Sequence, residues 1–296
     1  MFSIKRLLYL FLVAVTVSSF AGTGGEYVNG VEGIKGASVP PPGLYTRNYI
    51  VFYSADTLAG PDGGNLPVGF NADVSAVVSR LIFITKYKFL GADYGFDITV
   101  PLVRTSLSID AMALDETRAG LGDILIEPVI LSWHFNRADM SAAVGVFFKT
   151  GNFAAQHPAS PGKDYTTRMF TLGATIYLDS NRKTSFSILS RYETHGTDGS
   201  TGISPGDDFH FEFGFGHTFG RFTDVGIAGY AAWQVSDDSG AVTAGGVRDR
   251  ALALGPEIST VLPKAGLLFS IRILKEFNAI DRPEGWIAVT TLTHRF

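Results

Sequence analysis

Cysteine is absent from the 296-residue sequence, which excludes disulfides, zinc-thiolate sites and cysteine nucleophiles. Basic residues are not in excess, because the formal net charge is -4, and no basic cluster indicates a nucleic-acid surface. After residue 21, no apolar run approaches the roughly 20 residues that a helix needs to cross a bilayer. A helical membrane protein is therefore excluded. A membrane protein built of strands is not, because alternation dilutes its apolar residues.

The N-terminus has the organisation of a secretory signal peptide. Lys5 and Arg6 precede an apolar run over Leu7–Val17, and a small-x-small cleavage pattern ends at Ala21. The alternative, a transmembrane anchor, is disfavoured because the run is shorter than the roughly 20 residues of a spanning helix. We predict a signal peptide over residues 1–21.

The stretch DFHFEFGFGHTF, residues 208–219, alternates phenylalanine with small or polar residues. Successive side chains of a strand point to opposite faces, so this strand has one apolar face and one polar face. In a soluble sandwich the apolar face would be core, whereas in an outer-membrane barrel it contacts lipid and the polar face lines the lumen. The lipid-facing residues of the second interpretation are Phe209, Phe211, Phe213 and Phe215.

The lengths of the connections decide between these interpretations. Twelve candidate strands are joined alternately by short turns and by long polar loops, which is the asymmetry of an outer-membrane barrel with its short turns in the periplasm. A Greek-key sandwich has no reason to alternate in this way. We predict an all-β, antiparallel transmembrane β-barrel of about 12 strands over residues 43–296, preceded by a periplasmic or lumen segment over residues 22–42. The predicted long loops are Ala55–Ala76, Ser108–Ala119, Thr150–Thr167, Thr194–Asp208 and Ser236–Asp249.

The faces opposite the apolar rows collect charged residues, which a dry core would not accept and a watery lumen would. Asp123 and Glu127 share such a face. We expect them to join an ion-pair network with Arg191 or Arg272, and the alternative is that they border a substrate path. The predicted lumen-lining residues, a candidate solute path, are Arg80, Lys86, Asp97, Asp123, Glu127, Arg191, Glu193, His210, Glu212, Glu257, Arg272 and Glu276.

The C-terminal segment GWIAVTTLTHRF alternates and ends on an aromatic residue. It resembles the last strand of bacterial outer-membrane proteins, whose final aromatic residue is part of the signal that the barrel assembly machinery reads. His294 departs from that pattern, in which the residue two before the end is apolar or aromatic. The resemblance implies that Phe296 contacts the assembly machinery.

Several blocks of the sequence carry a resemblance to a known family. They are PPPGLY (residues 40–45), GLGDILIEPVILSW (120–133), SRYETHG (190–196), LGPEIS (254–259) and IRILKEFNAIDRPEGW (271–286). From about Pro40 to the end, the chain resembles the family described as involved in the meta-pathway of phenol degradation, also called SphA-like. The resemblance implies an outer-membrane barrel similar to those that pass hydrophobic compounds.

No catalytic, metal or cofactor site is predicted. Outer-membrane lipases need a serine beside a histidine on the lipid-facing side, whereas His217 and His294 have phenylalanine and leucine as same-face neighbours. A Gly-x-Ser-x-Gly motif is also absent. His210 and Glu212 share a face, but no third metal ligand is evident beside them.

The expected function is an outer-membrane channel that assists the uptake of small hydrophobic or aromatic compounds into a bacterial cell. Twelve strands fall between the filled barrels of about eight strands and the open pores of about sixteen, and the Pro-rich segment Gly33–Gly43 is a candidate plug. The substrate class rests on the family resemblance alone. The alternatives are a structural or ligand-binding barrel that acts through its extracellular loops, and a membrane-embedded hydrolase. The expected partners are outer-membrane lipid, lipopolysaccharide and the solute, without nucleic acid.

Overall fold

The chain forms a closed antiparallel β-barrel in a computed structural model that describes residues 25–240 and 247–296. The predicted signal peptide, residues 1–21, lies outside the described residues. Within the described ranges, no helix has both the length and the apolar character that crossing a membrane requires. The predicted fold class is confirmed.

Fifteen strands follow one another in the described parts of the chain. They are β1 (Gly43–Ala59), β2 (Phe70–Phe89), β3 (Ala92–Ile109), β4 (Leu114–Leu121), β5 (Ile124–His134), β6 (Ala138–Phe148), β7 (Thr167–Tyr177), β8 (Thr184–His195), β9 (Ile203–Ser204), β10 (Asp208–Phe219), β11 (Thr223–Gln234), β12 (Ser239–Gly240), β13 (Arg250–Leu262), β14 (Leu267–Ile280) and β15 (Arg282–Arg295). Each strand of the wall pairs with the next, and the pairing of β1 with β15 closes the cylinder. The wall omits β4, which pairs with β3 alone, and the short pair β9–β12.

Two of the predicted long loops are mostly strand. The hairpin of β1 and β2 leaves only residues 60–69 as a loop, where Ala55–Ala76 was predicted. The hairpin of β3 and β4 leaves only residues 110–113, where Ser108–Ala119 was predicted. Ladder hydrogen bonds join backbone groups and do not require apolar side chains, so polar sequence at the strand ends misled the loop prediction.

Two residues outside any strand, Gly122 and Asp123, separate β4 from β5, although both strands pair with β3. The loop between β6 and β7 covers the outer edge of β4, because Asn152 N donates to Leu121 O at 2.7 Å and Leu121 N donates to Asn152 Oδ1 at 2.7 Å. The loop between β6 and β7 therefore takes the place of a neighbouring strand at this edge of β4.

Apolar side chains cover the outside of the barrel, whereas many charged residues of the wall strands are buried inside it. On β10, Glu212 is 1% exposed and Phe215 is 44% exposed. Other large apolar residues on the outer surface include Phe52, Leu81, Phe96, Leu172, Ile227 and Ile258. A closed barrel with this polarity is a protein of the bacterial outer membrane. The residues predicted to face lipid, Phe209, Phe211, Phe213 and Phe215, all lie on the outer side of β10.

Candidate functional site

Residues 25–42, called the plug from here on, lie inside the lumen. At the long-loop end of the barrel, Lys163 Nζ donates to Gly25 O at 2.7 Å. At the short-turn end, Ser38 Oγ donates to Asp139 Oδ2 at 2.8 Å, and Asp139 lies at the start of β6. The plug therefore follows the length of the lumen, from the extracellular end to the periplasmic end.

Glu212 on β10 is the central contact between the wall and the plug. Its Oε1 accepts hydrogen bonds from Gly30 N and Glu32 N, both at 2.8 Å. Its Oε2 accepts from the Tyr27 hydroxyl at 3.0 Å and forms an ion pair with Arg191 Nη1 at 2.6 Å. Charge-assisted hydrogen bonds of this kind are stronger than neutral ones, so Glu212 joins the plug firmly to the wall.

Other wall side chains hold the plug in the same way. The plug forms no strand, so its buried N–H groups have no ladder partner, and several of them bond to side-chain acceptors of the wall instead. These acceptors are Glu193 for Glu26 N at 2.6 Å, Glu257 for Ile34 N at 2.8 Å and Ser187 Oγ for Ala37 N at 3.1 Å. Arg272 is a donor at the same contact: it donates to Val31 O of the plug and to Glu257 Oε1 of the wall.

Most of the predicted lumen-lining residues lie on the inner side of the barrel. They are Arg80, Asp97, Asp123, Glu127, Arg191, Glu193, His210, Glu212, Glu257, Arg272 and Glu276. The structure corrects the prediction for Lys86, which is exposed. An irregularity in the pairing of β2 with β3 between Ile84 and Lys88 breaks the alternation on which that prediction relied.

The ion-pair partners predicted for Asp123 and Glu127 are wrong. Glu127 Oε2 pairs with Arg80 Nη2 at 2.5 Å, and Arg80 Nε donates to Asp97 Oδ2 at 2.7 Å. Asp123 instead accepts two backbone N–H groups from the loop between β6 and β7. Arg191 pairs with Glu212 and Arg272 pairs with Glu257, and both of these carboxylates also accept hydrogen bonds from the plug.

The plug leaves a cavity of about 160 Å³ against the wall strands β1 to β3 and β5 to β8. The hydroxyl oxygens of Thr99 and Thr171, which line it, are buried and have no hydrogen-bond partner among the described residues. The ion pair of Arg80 with Glu127 borders the same space. The apolar lining comes mainly from Val78, Ile82, Val103, Leu125, Phe147 and Met169.

A second polar contact at this cavity was missed from the sequence. Glu32 of the plug pairs with Arg47 Nη2 at 2.6 Å and accepts from the Tyr49 hydroxyl at 2.9 Å. Arg47 and Tyr49 are two positions apart on β1, and this spacing was a usable signal that they share the inner face. The sequence gives no such signal for Glu32, because in a segment without regular secondary structure the spacing of residues does not show which side chains point the same way.

The extracellular end of the plug carries a second ion pair. Lys163 Nζ lies 3.4 Å from Glu26 Oε2, and both side chains are buried. Burial raises the pKa of Glu26 to about 7, although the nearby Lys163 ammonium acts to lower it. Burial therefore acts against the charged form of the Glu26 carboxyl, and Lys163 acts in its favour.

Gly214 allows the plug backbone to approach the wall closely. A Cβ at this position would lie 2.3 Å from Ile34 N, whereas a Cβ at Gly216 would meet the flexible Ile34 side chain at 2.8 Å. We therefore expect Gly214→Ala to displace the plug and Gly216→Ala, on the same face of β10, to leave it in place. The measurement is trypsin cleavage after Lys35 in detergent-solubilised protein. Equal protection of Lys35 in the two variants would contradict the tight approach.

Comparison with known proteins assigns the family. Residues 55–291 match the profile of a family described as "Putative MetA-pathway of phenol degradation". The chain belongs to this family. The match extends from within β1 to within β15, so it takes in nearly the whole barrel. The family resemblance found in the sequence is confirmed.

Solved structures with the same fold are outer-membrane barrels. An outer membrane channel from Pseudomonas putida F1 aligns with a TM-score of 0.79 at 14% identity, over 88% of this chain and 97% of that one. The β domain of the Bordetella autotransporter BrkA aligns with a TM-score of 0.51 at 9% identity, over 87% and 100% of the two chains. The translocator domain of the autotransporter NalP from Neisseria meningitidis gives 0.51 at 8% identity, over 88% and 91%. No curated protein matches the sequence.

Proposed function

We propose that this family member is an outer-membrane channel through which small hydrophobic or aromatic compounds enter the cell. They pass between the plug and the wall strands β1 to β3 and β5 to β8. The observation that carries the proposal is the cavity in this position, which the plug leaves open while it fills the opposite side of the lumen.

The size and lining of the cavity suit a single aromatic ring. Its volume is about 160 Å³, and an apolar cavity of about 150 Å³ is known to bind benzene. The apolar side chains would contact the ring, and the unpaired hydroxyls of Thr99 and Thr171 would contact one polar substituent. A ring with a hydroxyl or carboxylate group matches both parts of this lining.

Two comparisons support the proposal. The family description refers to phenol degradation, and degradation of phenols requires that aromatic compounds first enter the cell. The Pseudomonas putida F1 structure with the same fold is described as an outer membrane channel. Transport of an aromatic solute agrees with both descriptions.

A channel is also favoured over a membrane-embedded hydrolase. On the lipid-facing side of β10, His217 Nδ1 lies 2.9 Å from Thr184 Oγ1, which is a hydroxyl–imidazole contact. Within residues 25–240 and 247–296, however, no carboxylate or amide bonds to the other ring nitrogen to orient it. Nucleophilic catalysis by such a pair depends on that third group.

The proposal predicts that filling the cavity stops transport. Met169 is 1% exposed and faces the cavity, whereas its neighbour Phe170 is 48% exposed on the outer surface. We expect Met169→Trp to reduce the uptake of benzoate into proteoliposomes severalfold, and Phe170→Trp to leave it unchanged. The uptake is measured at mildly alkaline pH, where benzoate is ionised and crosses lipid slowly.

The assay also tests the alternative function. Benzoate uptake no faster than in protein-free vesicles, with both variants folded, would overturn the channel proposal and favour a barrel that acts through its loops. Equal uptake by the two variants would place the solute path outside this cavity. Folding is checked by heat-modifiable migration in gels.

A further inference from the structure

A compact group of imidazole and carboxylate side chains lies in the lumen near the extracellular end of the plug. Glu193 and His195 share the inner face of β8, and Asp208 lies on β10 with its Cα paired to that of Glu193. One ligand atom from each of the three side chains lies within 4.8 Å of the others. We propose that these residues bind a divalent transition-metal ion, of which Zn²⁺ is the representative.

The spacing of the ligand atoms suits one ion. His195 Nε2 and Asp208 Oδ2 are 3.0 Å apart. Two ligands at zinc distances in a tetrahedral site lie about 3.4 Å from each other. The 3.0 Å spacing is close to this value, and no pair of the three ligand atoms is more than 4.8 Å apart. Small side-chain rotations bring the three atoms around a metal, and the backbone can stay in place.

Neighbouring groups already hold two of the ligands in orientation. His195 Nδ1 contacts Thr167 Oγ1 at 2.8 Å, and Thr167 is fully buried. A hydrogen bond from Nδ1–H to this oxygen would leave the lone pair of Nε2 directed at the cluster, as in most histidine metal ligands. Glu193 Oε2 accepts from Glu26 N at 2.6 Å, which fixes the carboxylate while Oε1 faces His210.

An unpaired buried atom gives independent support for a ligand. Asp208 Oδ1 has no hydrogen-bond partner in the described part of the chain, and Asp208 is 0% exposed. Buried polar atoms without partners are rare in folded proteins. His210 Nε2 lies 3.3 Å from Glu193 Oε1, so this second imidazole is placed to supply a fourth ligand. A metal ion would satisfy the Asp208 carboxylate.

The charges of the cluster also favour a cation. Glu26, Glu193 and Asp208 bring three carboxylates together, and the ammonium group that neighbours them, Lys163, pairs with Glu26. The two negative charges that remain, on Glu193 and Asp208, are offset either by two protonated imidazoles or by a divalent ion. Imidazole with carboxylate is a ligand set of zinc and related transition metals, whereas Mg²⁺ and Ca²⁺ take oxygen ligands alone.

A bound ion would strengthen the attachment of the plug. Glu193 accepts backbone hydrogen bonds from Glu26 and Tyr27, and the Tyr27 ring stacks on His210 with centroids 5.3 Å apart. A metal that fixes Glu193 and His210 would fix the partners of the first plug residues as well. The proposed site therefore links β8, β10 and the plug.

The first experiment measures zinc retention. The mature chain is purified without a polyhistidine tag, incubated with Zn²⁺, desalted and analysed by inductively coupled plasma mass spectrometry and titration calorimetry. We expect one zinc per chain and no heat with Mg²⁺. Asp208→Asn and His195→Gln are expected to weaken zinc affinity at least about tenfold. His217→Gln, on the outer face of β10, should bind like the unaltered chain.

The second measurement does not depend on the folding of any variant. Co²⁺ added to the unaltered protein should give the intense visible absorption of a four-coordinate site with nitrogen and oxygen ligands, and Zn²⁺ should abolish it. No retained zinc and no cobalt spectrum would overturn the proposal and assign the cluster to protonated-histidine ion pairs. Zinc binding that His217→Gln weakens as strongly as His195→Gln does would also overturn it, because adventitious surface sites would then explain the binding.

Discussion

Phe213→Arg is expected to prevent assembly of the barrel. Phe213 lies in the middle of β10 on the outer surface, beside Phe211, whose ring centroid is 6.3 Å away. An arginine on the lipid side near the bilayer midplane costs roughly 2 to 4 kcal/mol, which is a large fraction of the stability of a typical domain. The folded form in unheated gels, which migrates differently from heated protein, should be lost.

The matched control for this change is Phe213→Leu, which keeps an apolar side chain in contact with lipid. It should assemble at the level of the unaltered chain. If the arginine variant assembled equally well, the outer face of β10 would not contact hydrocarbon, and the membrane orientation of the barrel would be wrong.

Glu212→Ala is expected to detach the plug while the barrel still assembles. The change removes the acceptor of two plug N–H groups and leaves Arg191 buried without its carboxylate. Loss of one partner from a buried ion pair typically costs about 3 to 5 kcal/mol. Glu212 and Arg191 both belong to the wall, and release of the plug would let water reach the unpaired Arg191 and relieve this cost. The strand ladder does not use either side chain, so the barrel should still assemble.

Two measurements report the detachment. Conductance in planar bilayers should rise severalfold, and trypsin should cleave after Lys35 in the folded protein. The control is Asp73→Ala, which removes an exposed carboxylate from β2 and should change neither quantity. Unchanged conductance together with a protected Lys35 in Glu212→Ala would show that other contacts hold the plug without Glu212.

The barrel could be predicted from the sequence because its two solvents impose a two-residue period. In β10 every second side chain contacts lipid and the others point into the lumen, so the apolar Phe213 and the charged Glu212 indicate which face is which. The period fails where the ladder is irregular, and Lys86 was misplaced for that reason. The two-residue period also gives no information where the ends of a strand are polar on both faces, and two hairpins were therefore predicted as loops.

The lumen contacts could not be predicted, because they join segments far apart in the chain. Glu257 and Ile34, which are bonded at 2.8 Å, are separated by 223 residues, and nothing in either segment indicates the other. The cluster of Glu193, His195 and Asp208, which we propose as a metal site, is a case of the same kind. Glu193 lies on the strand next to that of His210 and Asp208, and the register that places Glu193 opposite Asp208 depends on a loop whose length carries no such information.

The bonds that hold the plug run to wall side chains, while the wall's own ladder runs from strand to strand. Emptying the interior therefore breaks none of the backbone bonds that keep the cylinder closed. Heating should therefore cause two separate transitions. In the first, the plug leaves the lumen, which changes the permeability while the circular dichroism signal of the sheet stays intact. In the second, at higher temperature, the sheet itself melts. Opening and unfolding are thereby separate transitions in this architecture.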